Sequence, residues 1–284
     1  MSQPITPTDE QVEFRRVLRQ FAEEQISPRA AEVDRTATYS WENFDAMKAM
    51  ELTSLSYPVE FGGAGASTVD QAIVAEELAR VCVSTSLTFL ISKLGMLPVI
   101  NFGSHELKAK YLPNICSGAS QASYGLSEPD AGSDVASMTT KAVRDGSDWL
   151  ITGTKCWITN AGISDLYTVF AKVGGEKFTC FLVERGWKGV SAGVEEKKMG
   201  LKGASTTAVY FDNVQVPVEN VLGGVGNGLR MVQVRLGPAR LTHCMRWTGW
   251  AKRCMEVAQE YVNRREGFGI KLADRESVQI KLGE

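Results

Sequence analysis

From Thr6 the chain reads Thr-Pro-Thr-Asp, a capping residue followed by proline, and Phe14, Val17, Leu18 and Phe21 then fall at i, i+3, i+4 and i+7. That spacing puts the apolar side chains on one face and predicts an amphipathic helix. Helical periodicity recurs over 41–55, 69–83, 85–95 and 104–112, interrupted by Tyr57-Pro58 and by the breaker Phe61-Gly62-Gly63-Ala64-Gly65. After Ser117-Gly118 the texture changes. Short runs rich in Val, Thr, Tyr, Phe and Trp (DWLITG, KCWIT, LYTVFAKV, KFTCFLVER, AVYFDNVQV) alternate with turn residues and predict strands. With no long helices between them, they predict an antiparallel sandwich or barrel. The glycine-rich segment Gly223 to Gly228 reads as a joint, and 229–265 as one long helix broken or kinked near Gly237-Pro238. A further helix starts near Arg275 and runs into Glu284. The expectation is an α+β multidomain chain: an all-α region 1–120, a middle antiparallel β-barrel 121–228, and the incomplete start of a C-terminal helical bundle 229–284.

Composition narrows the function. The chain is 44% hydrophobic and 23% charged, as in ordinary globular proteins, and 31 Lys plus Arg oppose 33 Asp plus Glu. The net charge of -2 gives no general field for nucleic acid or an anionic membrane. The most apolar run, 86–102, is interrupted by Lys93 and Pro98 and predicts no membrane span. The N-terminus lacks the basic-then-apolar pattern of a signal peptide. Six scattered cysteines without a Cys-x-x-Cys read as reduced residues of a cytoplasmic protein.

Only His105 and His243 are present, and no metal-ligand spacing occurs, so no metal site is expected. His105 reads as a solvated residue at a helix start, His243 as a packed helix residue. A Gly-x-Ser-x-Gly elbow and a Walker motif are both lacking. The richest polar and glycine-bearing segment is YGLSEPDAGSD, residues 124–134. Its small residues suit backbone donors approaching pyrophosphate or carbonyl oxygens, although an ordinary interdomain loop has the same composition. In KCWITNAG, Trp157 and Thr159 project to the same side of a strand, where a planar ring could pack on the indole and accept a hydrogen bond from the hydroxyl. The alternative is a buried tryptophan in a barrel wall.

Taken in order, FGGAG, YGLSEPDAGSD, KCWITNAG, KKMGLKGASTTAVYFDNVQVP and RREGFGIKL resemble the acyl-CoA dehydrogenase family of flavoproteins over the whole chain. The resemblance implies FAD held between the β domain and a four-helix bundle in a homodimer or tetramer. It also implies dehydrogenation of an acyl-CoA to a trans-2-enoyl-CoA in fatty acid β-oxidation, with an electron-transfer flavoprotein as acceptor. It places Tyr124, Leu126, Ser127, Gly132 and Ser133 along the flavin ring and pyrophosphate, with Ser133 also beside the acyl-CoA. Trp157, Ile158 and Thr159 match the strand backing the flavin, Gly237 and Arg240 a substrate-side segment, and Arg265, Gly267 and Phe268 residues reaching a neighbouring subunit's FAD. The segment 237–246, GPARLTHCMR, resembles a branch that includes large animal members fused to other domains.

This sequence departs from the pattern in two ways. The family's usual glutamate base lies in a part of the bundle outside this chain, and at its alternative position the chain carries Ala239, so no catalytic base is named. Arg275-Glu276 stands where many relatives carry an aromatic or histidine followed by glutamine. A non-catalytic partner subunit or fragment, and an oxygen-using flavoenzyme on the same scaffold, are the alternative readings.

Overall fold

The computed structural model describes residues 6–284. Its helical part comprises α1 (Asp9–Phe21), α2 (Ser27–Thr36), α3 (Trp41–Ala49), α4 (Thr68–Val81), α5 (Val83–Phe102) and α6 (His105–Cys116), with a π-helical turn at Ala22–Ile26. Thr8, not Thr6, caps α1: its hydroxyl accepts from the Gln11 amide while the Gln11 side chain accepts from the Thr8 amide, a reciprocal capping box. The buried face of α1 includes Leu18 and Phe21, as the apolar spacing requires. Helix α5 runs through Pro98 and is longer than the 85–95 stretch read from periodicity. By length and a mean hydropathy of 1.5 it could cross a membrane, but 67% of that window is buried inside the protein, where it serves as a core helix.

The sheet contains β1 (Ala122–Gly125), β2 (Lys141–Asp145), β3 (Asp148–Thr159), β4 (Leu166–Val173), β5 (Lys177–Glu184), β6 (Val190–Ala192), β7 (Thr206–Pro217) and β8 (Val221–Leu222). The expected antiparallel barrel is corrected here: the strands form an open mixed sheet in the order β6-β7-β3-β2-β4-β5-β8, with β1 added beside β4. Both β1 and β2 run parallel to β4. Alternation along single strands cannot reveal this, because it fixes which face a residue takes and not the direction of its neighbour. DWLITG and KCWIT are one strand, β3, with irregular register between Ile151 and Gly153 and between Lys155 and Ile158. Strand β4 is buried over Leu166 to Ala171 because helix α5 covers one face and the sheet's own core the other, so it reads as a continuous apolar run.

Helix α7 (Gly228–Arg264) follows, then a small hairpin of β9 (Glu266–Gly267) and β10 (Ile270–Lys271), then α8 (Glu276–Gly283). The break expected near Gly237-Pro238 is absent, and α7 continues through Pro238. Proline leaves the carbonyl four residues earlier, at Val234, without its helical donor, and Val234 lies on the exposed face where water can serve it. The opposite face packs along α4. At Gly249 an added Cβ would stand 2.1 Å from the Glu76 carbonyl oxygen, so glycine sets how closely the helices approach. Arg15, Arg19 and Lys252 converge on the buried carboxylates of Glu76 and Glu77 and tie α1, α4 and α7 together.

Candidate functional site

The loop after β1 is fastened to β3 at consecutive residues. The Cys156 amide donates to the Ser127 carbonyl at 3.0 Å, and Lys155 Nζ donates to the Leu126 carbonyl at 3.3 Å and to Glu128 Oε1 at 2.7 Å. The same carboxylate accepts from the amides of Thr139 and Thr140 and from the Thr139 hydroxyl. Burial alone would raise the Glu128 carboxyl, but the hydrogen bonds from Lys155, Thr140 and Thr139 and the lysine charge hold it at about 2. The carboxylate is therefore ionised, and with Lys155, which burial pulls down and Glu128 pulls back up, it closes the polar groups of a loop that would otherwise be buried unsatisfied.

Trp157 is the residue this clamp presents. It sits in the second irregularity of β3 at φ +55 and is 61% exposed, with Ile158 buried behind it. A left-handed backbone at a bulky aromatic costs about 1–3 kcal/mol and marks a functional position when the neighbouring hydrogen bonds enforce it. The irregularity turns the indole outward, so the alternative of a tryptophan buried in a barrel wall does not hold. Facing it is a cavity of about 180 Å³ lined by Ile91, Leu94, Tyr124, Leu126, Ser127, Trp157, Ile158, Thr159 and Arg235. The Arg235 guanidinium lies 3.9 Å from the Tyr124 ring centroid. The Tyr124 hydroxyl and Arg235 Nε are buried there without hydrogen-bond partners. Apolar walls, an exposed indole, two hydroxyl side chains and unpaired donors suit a planar heteroaromatic ring with polar edges, so these residues fit a flavin.

Six of the expected residues thus line one cavity: Tyr124, Leu126, Ser127, Trp157, Ile158 and Thr159. Gly132 and Ser133 lie exposed beyond the loop. Gly237 and Arg240 are exposed on the outer face of α7, while Thr242 is buried and, with the exposed Pro238, lines a cavity described below. Arg265, Gly267 and Phe268 stand apart on the β9–β10 hairpin, with the Phe268 ring fully exposed. Arg275 donates to the Gly267 carbonyl at 2.7 Å and so holds this hairpin, a role within the chain for one of the two unusual residues. Sequence reading missed Arg235 and the Glu128–Lys155 pair. The signal for the pair was present, since both residues lie inside the singled-out motifs.

A second cavity of about 140 Å³ adjoins the first across the shared side chain of Leu94, lined also by Thr68, Gln71, Leu90, Lys93, Leu97, Pro238 and Thr242. No aspartate or glutamate lines either cavity, and Ala239, 4% exposed, occupies the inward face of α7 near them. Among the described residues no cluster of metal-binding side chains occurs, and all six cysteines are free. His105 is exposed at the start of α6, as expected, whereas His243 is half-buried with Nδ1 unpaired.

Family models describing the N-terminal, middle and C-terminal domains of acyl-CoA dehydrogenase match residues 8–119, 123–214 and 226–284. A probable acyl-CoA dehydrogenase of Mycobacterium leprae is 39% identical over 280 residues, covering 97% of this chain and 72% of that protein. Among solved structures, an acyl-CoA dehydrogenase complexed with FAD from Bacillus anthracis superposes with a TM-score of 0.92 at 31% identity, over 99% of this chain and 49% of its own. A chain from a structure of the electron transferring flavoprotein of Acidaminococcus fermentans gives a TM-score of 0.94 at 29% identity, covering 99% and 75%. The models, the sequence identity and the superposed folds agree: this chain belongs to the acyl-CoA dehydrogenase family.

Proposed function

We propose that this chain is an FAD-dependent oxidoreductase that removes hydrogen from the α- and β-carbons of an acyl-CoA thioester to give a trans-2-enoyl-CoA, a step of fatty acid oxidation. The observation carrying this reading is the cavity that brings Tyr124, Leu126, Ser127, Trp157, Ile158 and Thr159 together in a chain of this family. FAD, when bound, supplies the hydride acceptor. The chain's own residues bind and orient. Trp157 offers a flat apolar ledge; Ser127 and Thr159 offer hydroxyls at the cavity wall; the Glu128–Lys155 clamp fixes both against thermal drift. Leu94, Ile91 and Ile158 exclude water from the reacting carbons.

Gly132 and Ser133 extend this wall toward the cofactor's phosphates and the acyl-CoA. Arg265, Gly267 and Phe268 serve a neighbouring subunit, a role that suits an exposed Phe268 and implies a homodimer or tetramer. Gly237 and Arg240 face outward, so the substrate-side contacts of α7 pass to Pro238 and Thr242. An electron transferring flavoprotein is the proposed acceptor, supported by the likeness to the Acidaminococcus chain, and the cytoplasm the proposed location.

The test is the visible spectrum of the purified holoprotein before and after anaerobic addition of acyl-CoA thioesters. Bleaching of the flavin band by at least one thioester is expected. A flavin band unmoved by every thioester would favour the reading as a non-catalytic partner subunit, which the lack of a carboxylate in both cavities supports. Rapid reoxidation by air would favour the oxygen-using alternative.

A further inference from the structure

Among the described residues lining the cavity of Trp157 and Thr159, only Arg235 carries a charge at neutral pH. Burial pulls its guanidinium down from the ordinary arginine value, but that value lies so far above neutrality that the group stays protonated. The Tyr124 hydroxyl is raised by burial and stays neutral. No ion pair or hydrogen bond among the described residues engages the Arg235 guanidinium, whose Nε is buried without a partner. Its neighbour is the Tyr124 ring, 3.9 Å away. A ring face repays only part of the cost of taking a guanidinium out of water, so fold stability gives no reason to keep the charge here.

Nothing close by cancels this charge. No aspartate or glutamate lines this cavity or the adjoining one, where Lys93 has the same sign. The Glu128 carboxylate is taken up by Lys155 and by the Thr139 and Thr140 amides behind the loop. His243, on the same helix, is pushed down to about 4 by burial and then by the charges of Arg246 and Arg235, so it is neutral and shows that the arginine field is felt within the fold. Ile91, Leu94, Leu126 and Ile158 keep water from the cavity wall, and a fixed charge acts more strongly there than in solvent.

We propose that Arg235 is a catalytic residue of the dehydrogenation: its cation offsets the negative charge that hydride transfer brings into this cavity and raises the reduction potential of the bound flavin. The proposal rests on the flavin-dependent dehydrogenase reading. As the β-carbon C–H bond breaks, its electron pair and proton move together to the flavin while the α-proton departs separately as H+. The acyl chain is oxidised, and the flavin is reduced with the gain of one negative charge. A cation already in place at the cavity wall stabilises that charge without reorganising, and it is the partner that the guanidinium otherwise lacks.

The experiment measures the flavin midpoint potential of the holoenzyme against a reference dye, without acyl-CoA, in wild type and in Arg235→Met, Arg235→Gln and Arg235→Lys. Both neutral variants are expected to shift the reduction equilibrium against the reduced flavin about tenfold or more, ~30 mV for a two-electron couple. Arg235→Lys keeps the charge on a different shape and is expected to restore most of that shift, which a purely structural arginine would not do. The Tm of Arg235→Met is expected to be no lower than wild type, which separates lost electrostatics from lost folding. A potential unchanged in both neutral variants, or as low in Arg235→Lys as in them, overturns the role while leaving the dehydrogenase reading intact. Weaker binding of a CoA thioether at unchanged potential would assign the charge to the CoA phosphates and overturn it likewise. If the wild-type protein takes up no FAD, the dehydrogenase reading fails and this role with it.

Discussion

Lys155 Nζ lies 2.7 Å from Glu128 Oε1, with side-chain exposures of 0% and 2%. Removing either partner strands the other charge in the interior. Lys155→Met is expected to cost about 3–5 kcal/mol, read as a lowered urea midpoint, and to release the 126–128 loop so that flavin is lost on gel filtration. Full flavin retention at unchanged stability would refute the clamp.

The same pair sets an acid limit. Glu128 is held at about 2 in the folded chain, below the ordinary 4.5, so the unfolded state binds the proton first as pH falls. Its contribution to stability is complete above about 4.5 and is lost as pH drops toward 2. Glu128→Gln is expected to flatten the stability profile in that window, measured by urea titration at stepped pH.

Trp157 separates strain from function. Trp157→Gly relieves the φ of +55 and leaves apoprotein stability equal or raised by about 1 kcal/mol, while removing the ledge for the ring. The ratio of visible to ultraviolet absorbance after purification is expected to fall. A variant that lost stability and kept its flavin would show that the indole packs the fold and does not serve the cofactor.

Lys93 gives a prediction at the alkaline end. Burial lowers it to about 8, from an ordinary value of 10.5. Between those values the unfolded chain binds more protons than the folded one, so its contribution to stability rises with pH across that window. The stability difference between wild type and Lys93→Met should therefore shift in favour of wild type from pH 8 to 10, followed by thermal melts; a constant difference would contradict this.

Gly249 offers a steric test. Gly249→Val places a side chain against the Glu76 carbonyl, which is backbone and cannot turn aside. Overpacking of this kind costs about 1–3 kcal/mol, and the melting temperature of the holoprotein should fall accordingly.

The sequence showed the helices of the first region, the strands as elements and six of the cavity residues, because periodicity and turn chemistry are local signals. It did not show strand direction or sheet closure. Residues 126–140 cross from β1 to β2, which lie parallel on β4, and no residue in that segment announces a crossover. Pro238 suggested a break, yet tertiary packing of α7 on α4 overrides the local cost. Arg235 was invisible as a site residue because charged residues on a helix usually face solvent. Only its place in the cavity wall, against the Tyr124 ring, distinguishes it.

One apolar cluster contains Met96 and Val99 of α5, Leu112 of α6, Ala122 of β1, Phe170 of β4, Leu182 of β5 and Met231 of α7. The helical, sheet and C-terminal regions thus contribute to the same interior, and none can be withdrawn without exposing the others. The shared cluster predicts one cooperative unit across the sequence boundaries near 120 and 228. Heating is expected to give a single calorimetric transition, and a denaturing substitution in the sheet should melt the helices with it.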